Sequence, residues 1–269
     1  MTAQQRWRDQ LEAWALPKRI TDAVSDSPWT APVAHFGRRA DLAAPHGVSY
    51  QRAAEALSPQ GTVIDVGAGA GAASLPLAPL TTRLTAVDTN GGMLEALRDR
   101  AAAAGLEART VQGRWPDIAT DIDPADVVVC HHVVYNAPDL AAFAQALTTH
   151  ARRRVVVELT ERHPLAPLNP LWKKLHDLDR PTGPSAEDAL AVLEEVGIPA
   201  TLERSPRPPR PGYGTFDELI AVTRRRLCLT PDRDPDLVAA LAELGIDPEH
   251  PVELAAPDDA LVTLHWNSG

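Results

Sequence analysis

Residues 63–78 read VIDVGAGAGAASLPLA, and the fold follows from that stretch. Residues 62–66 are short, apolar and rich in β-branched side chains, as a strand buried on both faces should be. Gly67, Gly69 and Gly71 then turn the chain. Glycine takes positive φ freely and lets a ligand approach where a Cβ would stand. A helix is expected over 71–79, shortened or kinked by Pro76 and Pro79. Its first turn would offer free N–H groups and a positive dipole end. In a doubly wound sheet such a turn lies at the carboxyl ends of the strands, at the topological switch point. A ligand of the nucleotide class is expected there.

Working outward, the same alternation continues. Strands are expected at 83–87, 108–112, 126–130 and 154–159, and helices at 91–104 and 139–150. Strands alternating with helices mean βαβ units and a parallel sheet. Upstream, Trp7, Leu11, Trp14 and Ala15 share one face of a helix over 3–16, and a second helix is expected at 48–57. Downstream, ERHPLAPLNP (161–170) reads as a loop. Ser185 caps a helix over 185–196, and a sixth strand is expected at 200–204. SPRPPRPGYG (205–214) reads as a stiff connector. Helices over 215–228 and 235–244 and a last strand over 260–266 complete the chain.

Composition narrows the function classes. The chain has 269 residues, 44% of them hydrophobic, and a net charge of −10. A surface of that sign repels phosphate backbones, so a nucleic-acid partner is not expected. Cys130 and Cys228 form neither a disulfide framework nor a metal-ligand spacing, so no metal is expected and a reducing, cytoplasmic setting is. No segment reads as a signal peptide or a membrane span. Only three basic residues are lysine, and alanine and proline are abundant, which suits a GC-rich genome rather than a function.

Gly67-x-Gly69-x-x-Ala72, with Asp88 about 20 residues on, satisfies a dinucleotide fingerprint and leaves an NAD-type oxidoreductase open. Asp65 opposes it. A carboxylate two residues before the first glycine suits a ligand with a cationic group better than a pyrophosphate. Asp65-x-Gly67-Ala68-Gly69-x-Gly71 resembles the first motif of class I S-adenosylmethionine-dependent methyltransferases, and the resemblance runs over residues 60–160. It implies an α/β, Rossmann-like fold: a seven-stranded, mostly parallel sheet with an antiparallel last strand. Around it are expected a helical N-terminal lid (1–58) and a helical insertion (205–259) within the cofactor-binding domain (59–269).

The resemblance also implies S-adenosylmethionine as cofactor and S-adenosylhomocysteine as product. Asp88 would hold the ribose hydroxyls, with Thr89, Asn90 and Met93 beside the adenine. Gly113, Arg114 and Trp115 would line the adenine. Arg114 stands where the family often has an acid, so the adenine amino group falls either to Asp117 or to backbone and Trp115. Cys130 and His131, in the fourth motif, would lie beside the methionine moiety.

The acceptor side is read from the residues after the fourth and fifth strands. His131 and His132 are the candidate general bases, since imidazole titrates near neutrality. Consecutive residues at a strand end point to opposite sides, so one ring is expected in the cleft, His132, and the other in the flanking helix layer. Tyr135, Asn136, Glu158 and His163, with Trp29, His35 and Phe36 from the lid, are the candidate acceptor contacts. Arg152–Arg154 and Arg224–Arg226 are expected to be solvated. A small or medium-sized molecule bearing a hydroxyl, carboxyl or amine is the expected acceptor. A non-catalytic cofactor-binding protein is the remaining alternative.

Overall fold

Strand β1 (Gly61–Val66) is buried along nearly its whole length, and it sits between β2 (Thr81–Asp88) and β4 (Ala125–His131), parallel to both. The computed structural model describes residues 1–22, 24, 45–207, 213–252, 254 and 260–268. β3 (Ala108–Gln112) extends the sheet beyond β2, and β5 (Ala151–Thr160) extends it beyond β4. β7 (Ala260–Asn267) runs antiparallel between β5 and β6 (Thr201–Pro206). The order is therefore β3-β2-β1-β4-β5-β7-β6, seven strands with β7 alone reversed, as the resemblance implies. The direction of winding changes between β1 and β4.

Period-two alternation sends the two halves of each strand into two cores. Ile64, Val128, Cys130, Val155, Val157 and Leu264 face α1 (Ala3–Glu12), α5 (Leu140–His150) and α7 (Ala186–Glu195). Val63, Val127, Val129 and Val156 face α3 (Val48–Leu57) and α4 (Gly91–Ala103). A third apolar cluster contains no strand residue. It joins α2 (Lys18–Thr21), α6 (Asn169–His176), α8 (Phe216–Arg226) and α9 (Asp234–Glu243) through Ile20, Leu171, Trp172, Leu219, Leu227 and Leu237. Arg180 lies between the rings of Trp14 and Trp172, at 5.1 and 5.4 Å, and ties this block to the N-terminal segment.

Three expectations change. The helix expected over 71–79 is a turn followed by a 3-10 helix, Leu75–Leu80, because Pro76 and Pro79 each remove an N–H that an α-helix needs. The stretch read as a loop through residue 170 ends in α6, whose Pro170 sits in the first turn, where no N–H is missed. Arg153 and Arg154 lie in β5 and are paired rather than simply solvated: Arg153 Nε with Asp126 at 3.3 Å, Arg154 Nη1 with Glu55 at 3.1 Å.

Those arginines belong to a clamp on α3. Arg52 holds both oxygens of Glu203 on β6, at 2.6 and 2.9 Å, and also Glu55 at 2.7 Å. His265 of β7 reaches Glu203 at 2.9 Å. On the neighbouring strand pair, Asp126 accepts from the Thr62 N–H at 2.7 Å and the Thr62 hydroxyl at 2.9 Å. Burial opposes ionisation of Asp126, but Thr62 and Arg153 outweigh it and hold the carboxyl below its ordinary range.

A carboxyl lowered in the folded state stabilises above its unfolded value and loses that contribution as pH falls. Asp126→Ala should therefore cost about 1–3 kcal/mol at pH 7. In denaturant melts the gap from wild type should narrow as pH falls below about 4. A gap independent of pH would mean that Asp126 acts through packing alone.

Candidate functional site

The glycine turn is fastened to β2 by backbone. The N–H groups of Gly67 and Ala68 both donate to the Val87 carbonyl, at 2.8 and 3.0 Å. The next N–H, of Gly69, donates to Asp88 Oδ2 at 2.8 Å, while Asn90 N–H donates to Asp88 Oδ1 at 2.8 Å. Asn90 in turn caps α4 by accepting from Met93 N–H at 3.2 Å. Asp88 is thus a hub between three loops, since Gly113 N–H also donates to its carbonyl at 3.0 Å. Met93 is buried against Ala70 of the turn.

Two of the glycines have different reasons. Gly67 has φ 70°, and a Cβ there would stand 2.2 Å from Val133 Cγ2. Gly69 has φ 51°, and a Cβ there would meet nothing within 4 Å. Gly67 is required by packing under the loop, whereas Gly69 presents backbone to open space.

Beneath the turn the polar groups are left over. Asp65 is 1% exposed, and neither of its oxygens has a hydrogen-bond partner among the described residues. The same holds for Ser74 Oγ and His131 Nε2. Burial pushes the Asp65 carboxyl up to about 6, against the Ser74 hydroxyl and N–H, which stand beside it short of ordinary hydrogen-bond geometry, and against the attraction of His131. An orphaned buried carboxylate costs free energy unless a donor reaches it. The cluster suits a cationic, multiply donating group such as a primary ammonium.

Strand parity brings a second acid to the same face. His131 pairs with Glu158 across β4 and β5, on the side of Val127, Val129 and Val156. Glu158 Oε1 lies 3.2 Å from His132 Nε2 and 3.8 Å from His131 Nδ1. The Ser49 hydroxyl, at the start of α3, donates to Glu158 Oε2. Burial opposes ionisation of Glu158, but the two imidazoles and Ser49 outweigh it and keep the carboxyl far below its ordinary range. Burial lowers His131, against the attraction of Glu158 and Asp65.

The two histidines therefore do not diverge. His132 has φ 61°, a left-handed conformation that swings its ring back to the carboxylate its neighbour approaches. The strand has already ended there, so alternation no longer applies.

Other expected contacts are turned into packing. Trp115 is buried, donates Nε1–H to the Phe143 carbonyl at 3.4 Å and meets His150 edge-on. Cys130 is 0% exposed and faces the α5 side. Tyr135 donates to the Thr160 carbonyl at 2.8 Å and stacks on Trp7, and burial pushes its phenol up. His163 stacks on Trp14 at 3.9 Å; burial, with Arg180, lowers it to about 3. Thr89, Asn136, Arg114 and Asp117 are exposed. Trp29, His35 and Phe36 lie outside the described residues. Ser49 and Ser74 were not anticipated. No local pattern marks either one: Ser49 acts through Glu158, far along the chain, and Ser74 stands beside Asp65 only because the glycine turn brings it back.

A methyltransferase-domain family matches residues 63–153. A protein-L-isoaspartate O-methyltransferase of Methylorubrum populi is 33% identical over 112 residues, 40% of this chain and 50% of that protein. An uncharacterized Haemophilus influenzae protein is 32% identical over 103 residues, 38% of each. The chain thus spans half or less of these curated relatives. Among solved structures, a candidate sarcosine dimethylglycine methyltransferase from Galdieria sulphuraria covers 97% of this chain and 98% of its own, with a TM-score of 0.52 at 13% identity. A candidate methyltransferase from Bacillus halodurans covers 82% and 96%, with a TM-score of 0.52 at 16% identity. These two share the fold. No helix among the described residues is long and apolar enough to cross a membrane.

The buried acid and the two glycines give separable expectations. A carboxyl raised in the folded state favours folding while protonated, and that advantage is lost as pH rises through about 6. Asp65→Asn should therefore make the ligand-free protein more stable at pH 8, by up to about 3 kcal/mol, and equal to wild type near pH 4. A less stable variant at pH 8 would show that the carboxylate has a partner. Gly67→Ala should cost more than about 2 kcal/mol, from positive φ plus the Val133 clash, and Gly69→Ala about 1–2 kcal/mol from φ alone. Equal costs in chemical denaturation would remove the distinction between them.

Proposed function

We propose that this chain, whose residues 63–153 match a methyltransferase-domain family, is a class I S-adenosylmethionine-dependent methyltransferase acting on a small-molecule acceptor. The reaction site would be the carboxyl ends of β1, β4 and β5. The observation that carries the reading is the cluster of Asp65, Ser74 and His131, whose buried polar atoms have no partners among the described residues. It sits under the glycine turn, where the cofactor's methionine ammonium would supply the missing donors.

The residues divide the cofactor between them. Asp65 takes the ammonium, with Ser74 and His131 beside it. Asp88 takes the ribose hydroxyls while its Gly69 and Asn90 contacts keep the carboxylate aimed. Gly69 lets the ligand approach the loop backbone. Met93 and Ala70 form the apolar side of the adenine site. Trp115 is packed away and Arg114 points to solvent, so the adenine amino group is left to backbone or to Asp117. When bound, the sulfonium makes its methyl group a strong electrophile, so alignment matters more than covalent catalysis.

The division into an N-terminal lid (1–58) and a cofactor domain (59–269) belongs to the same proposal. α1 packs on α5 and α7, with Trp7 Nε1–H donating to the Ala137 carbonyl at 2.9 Å, which is a docking role. An NAD-type reading is disfavoured, because Asp65 under the turn would repel a pyrophosphate.

Calorimetry tests the cofactor directly. S-adenosylhomocysteine should bind with saturation and NADH should not. Asp88→Ala should weaken the former roughly 5- to 150-fold, from about 1–3 kcal/mol. Unaltered affinity in that variant, or binding of NADH in place of S-adenosylhomocysteine, would overturn the proposal.

A further inference from the structure

Glu158 lies on the face shared with Asp65 and His131, and both of its oxygens are engaged. Oε2 accepts from Ser49, and Oε1 faces His132 Nε2 at 3.2 Å. Ser49 is 4% exposed and is held in place because α3 is clamped to β5 and β6 through Arg52, Glu55, Arg154 and Glu203. The His132 N–H donates to the Glu158 carbonyl at 2.7 Å, so backbone and side chain of one residue fix the other. His132 pays for this contact with φ 61°, an unfavourable conformation for a bulky L-residue. Strain of that kind at a ligand site points to function. Its ring is 37% exposed, and with Nε2 turned to the carboxylate, Nδ1 is the nitrogen left for another group.

We propose that Ser49 and Glu158 position His132 as a general base, and that the methyl acceptor of this site is a hydroxyl group. This rests on the methyl-transfer reading above. The acceptor oxygen forms the new O–CH3 bond with a lone pair, and its proton passes to His132 Nδ1. The CH3–S bond breaks, and its electron pair stays on sulfur, which becomes a neutral thioether. Glu158 stabilises the imidazolium that results, and Ser49 fixes the carboxylate. Glu158 and Ser49 are positioning residues and His132 is the base.

The other acceptor classes fit less well. A carboxylate is already ionised, needs no base and would be repelled by Glu158. An ammonium would seek the carboxylate itself, whose two oxygens already face Ser49 and His132.

The decisive measurement does not need a known acceptor. In protein labelled with 15N-histidine and saturated with S-adenosylhomocysteine, His132 should show a low-field, exchange-protected imidazole N–H resonance assigned to Nε2. Glu158→Ala should abolish it. Ser49→Ala, the milder change, should shift it while leaving the melt cooperative. No protected resonance in wild type, or one that both variants leave untouched, overturns the positioning of His132 by Glu158 and Ser49. A second arm supplies labelled S-adenosylmethionine with simple phenols and alcohols or with an isoaspartyl peptide. Label in base-stable ether form that falls about 10²–10⁴-fold in His132→Ala supports the hydroxyl assignment. Label in base-labile ester form, unchanged in His132→Ala, overturns it. If S-adenosylhomocysteine fails to bind while the resonance persists in the free protein, the cofactor reading fails instead.

Discussion

The carboxylate of Asp65 sits at the centre of the sheet with only Ser74 beside it and no hydrogen bond of ordinary geometry among the described residues, and the geometry around it explains why. In an ordinary turn after a strand, the next few N–H groups would fold back and cap such an acid. Here the N–H groups of Gly67 and Ala68 go to the Val87 carbonyl, and that of Gly69 goes to Asp88. The turn is pulled sideways onto β2 rather than back over β1. The loop is thereby held open and rigid, and the acid beneath it stays available. A buried charge of this kind destabilises the empty protein and is tolerated where a ligand supplies the partner.

The acceptor side is built on the opposite principle, since both oxygens of Glu158 are paired. Two strands, a helix and a left-handed residue converge on one carboxylate. The helix is placed from a distance. Single exposed ion pairs contribute little, but Arg52 joins α3 to β6, and Arg154 joins it to β5, in one connected network. Register between that helix and the strands then decides whether Ser49 meets Glu158.

Strand spacing, glycine pattern and the two motif acids, Asp65 and Asp88, were readable from the chain because they depend on neighbours in sequence. The sheet and the cofactor half of the site follow from them. Even the shared face of Asp65, His131 and Glu158 was available in principle. Each stands two residues after a core-facing valine, at Val63, Val129 and Val156. Three things were not readable. The backbone reversal at His132 depends on how β4 ends against β5. Trp115, Tyr135 and His163 look like ligand contacts by position, yet large aromatic rings gain more by packing against one another. Ser49 and Ser74 carry no pattern, since a serine in a helix or a turn is ordinary until the fold brings an acid to it. Proline misled once: Pro170 opened α6 instead of preventing it, whereas the shortening after β1 was expected from Pro76 and Pro79.

The position of β7 has a consequence for how the molecule is made. It lies between β5 and β6, yet it is translated after α8 and α9. Until residues 260–267 emerge, β6 has no strand to pair with and the outer edge of β5 stays open. A nascent chain can close β1 to β5 around the cofactor loop, but it must hold a vacant slot in the sheet while more than fifty further residues leave the ribosome. An unpaired edge of that length is a template for strands of other molecules. The helices translated between β6 and β7 therefore set the time during which this chain is most exposed to mispairing.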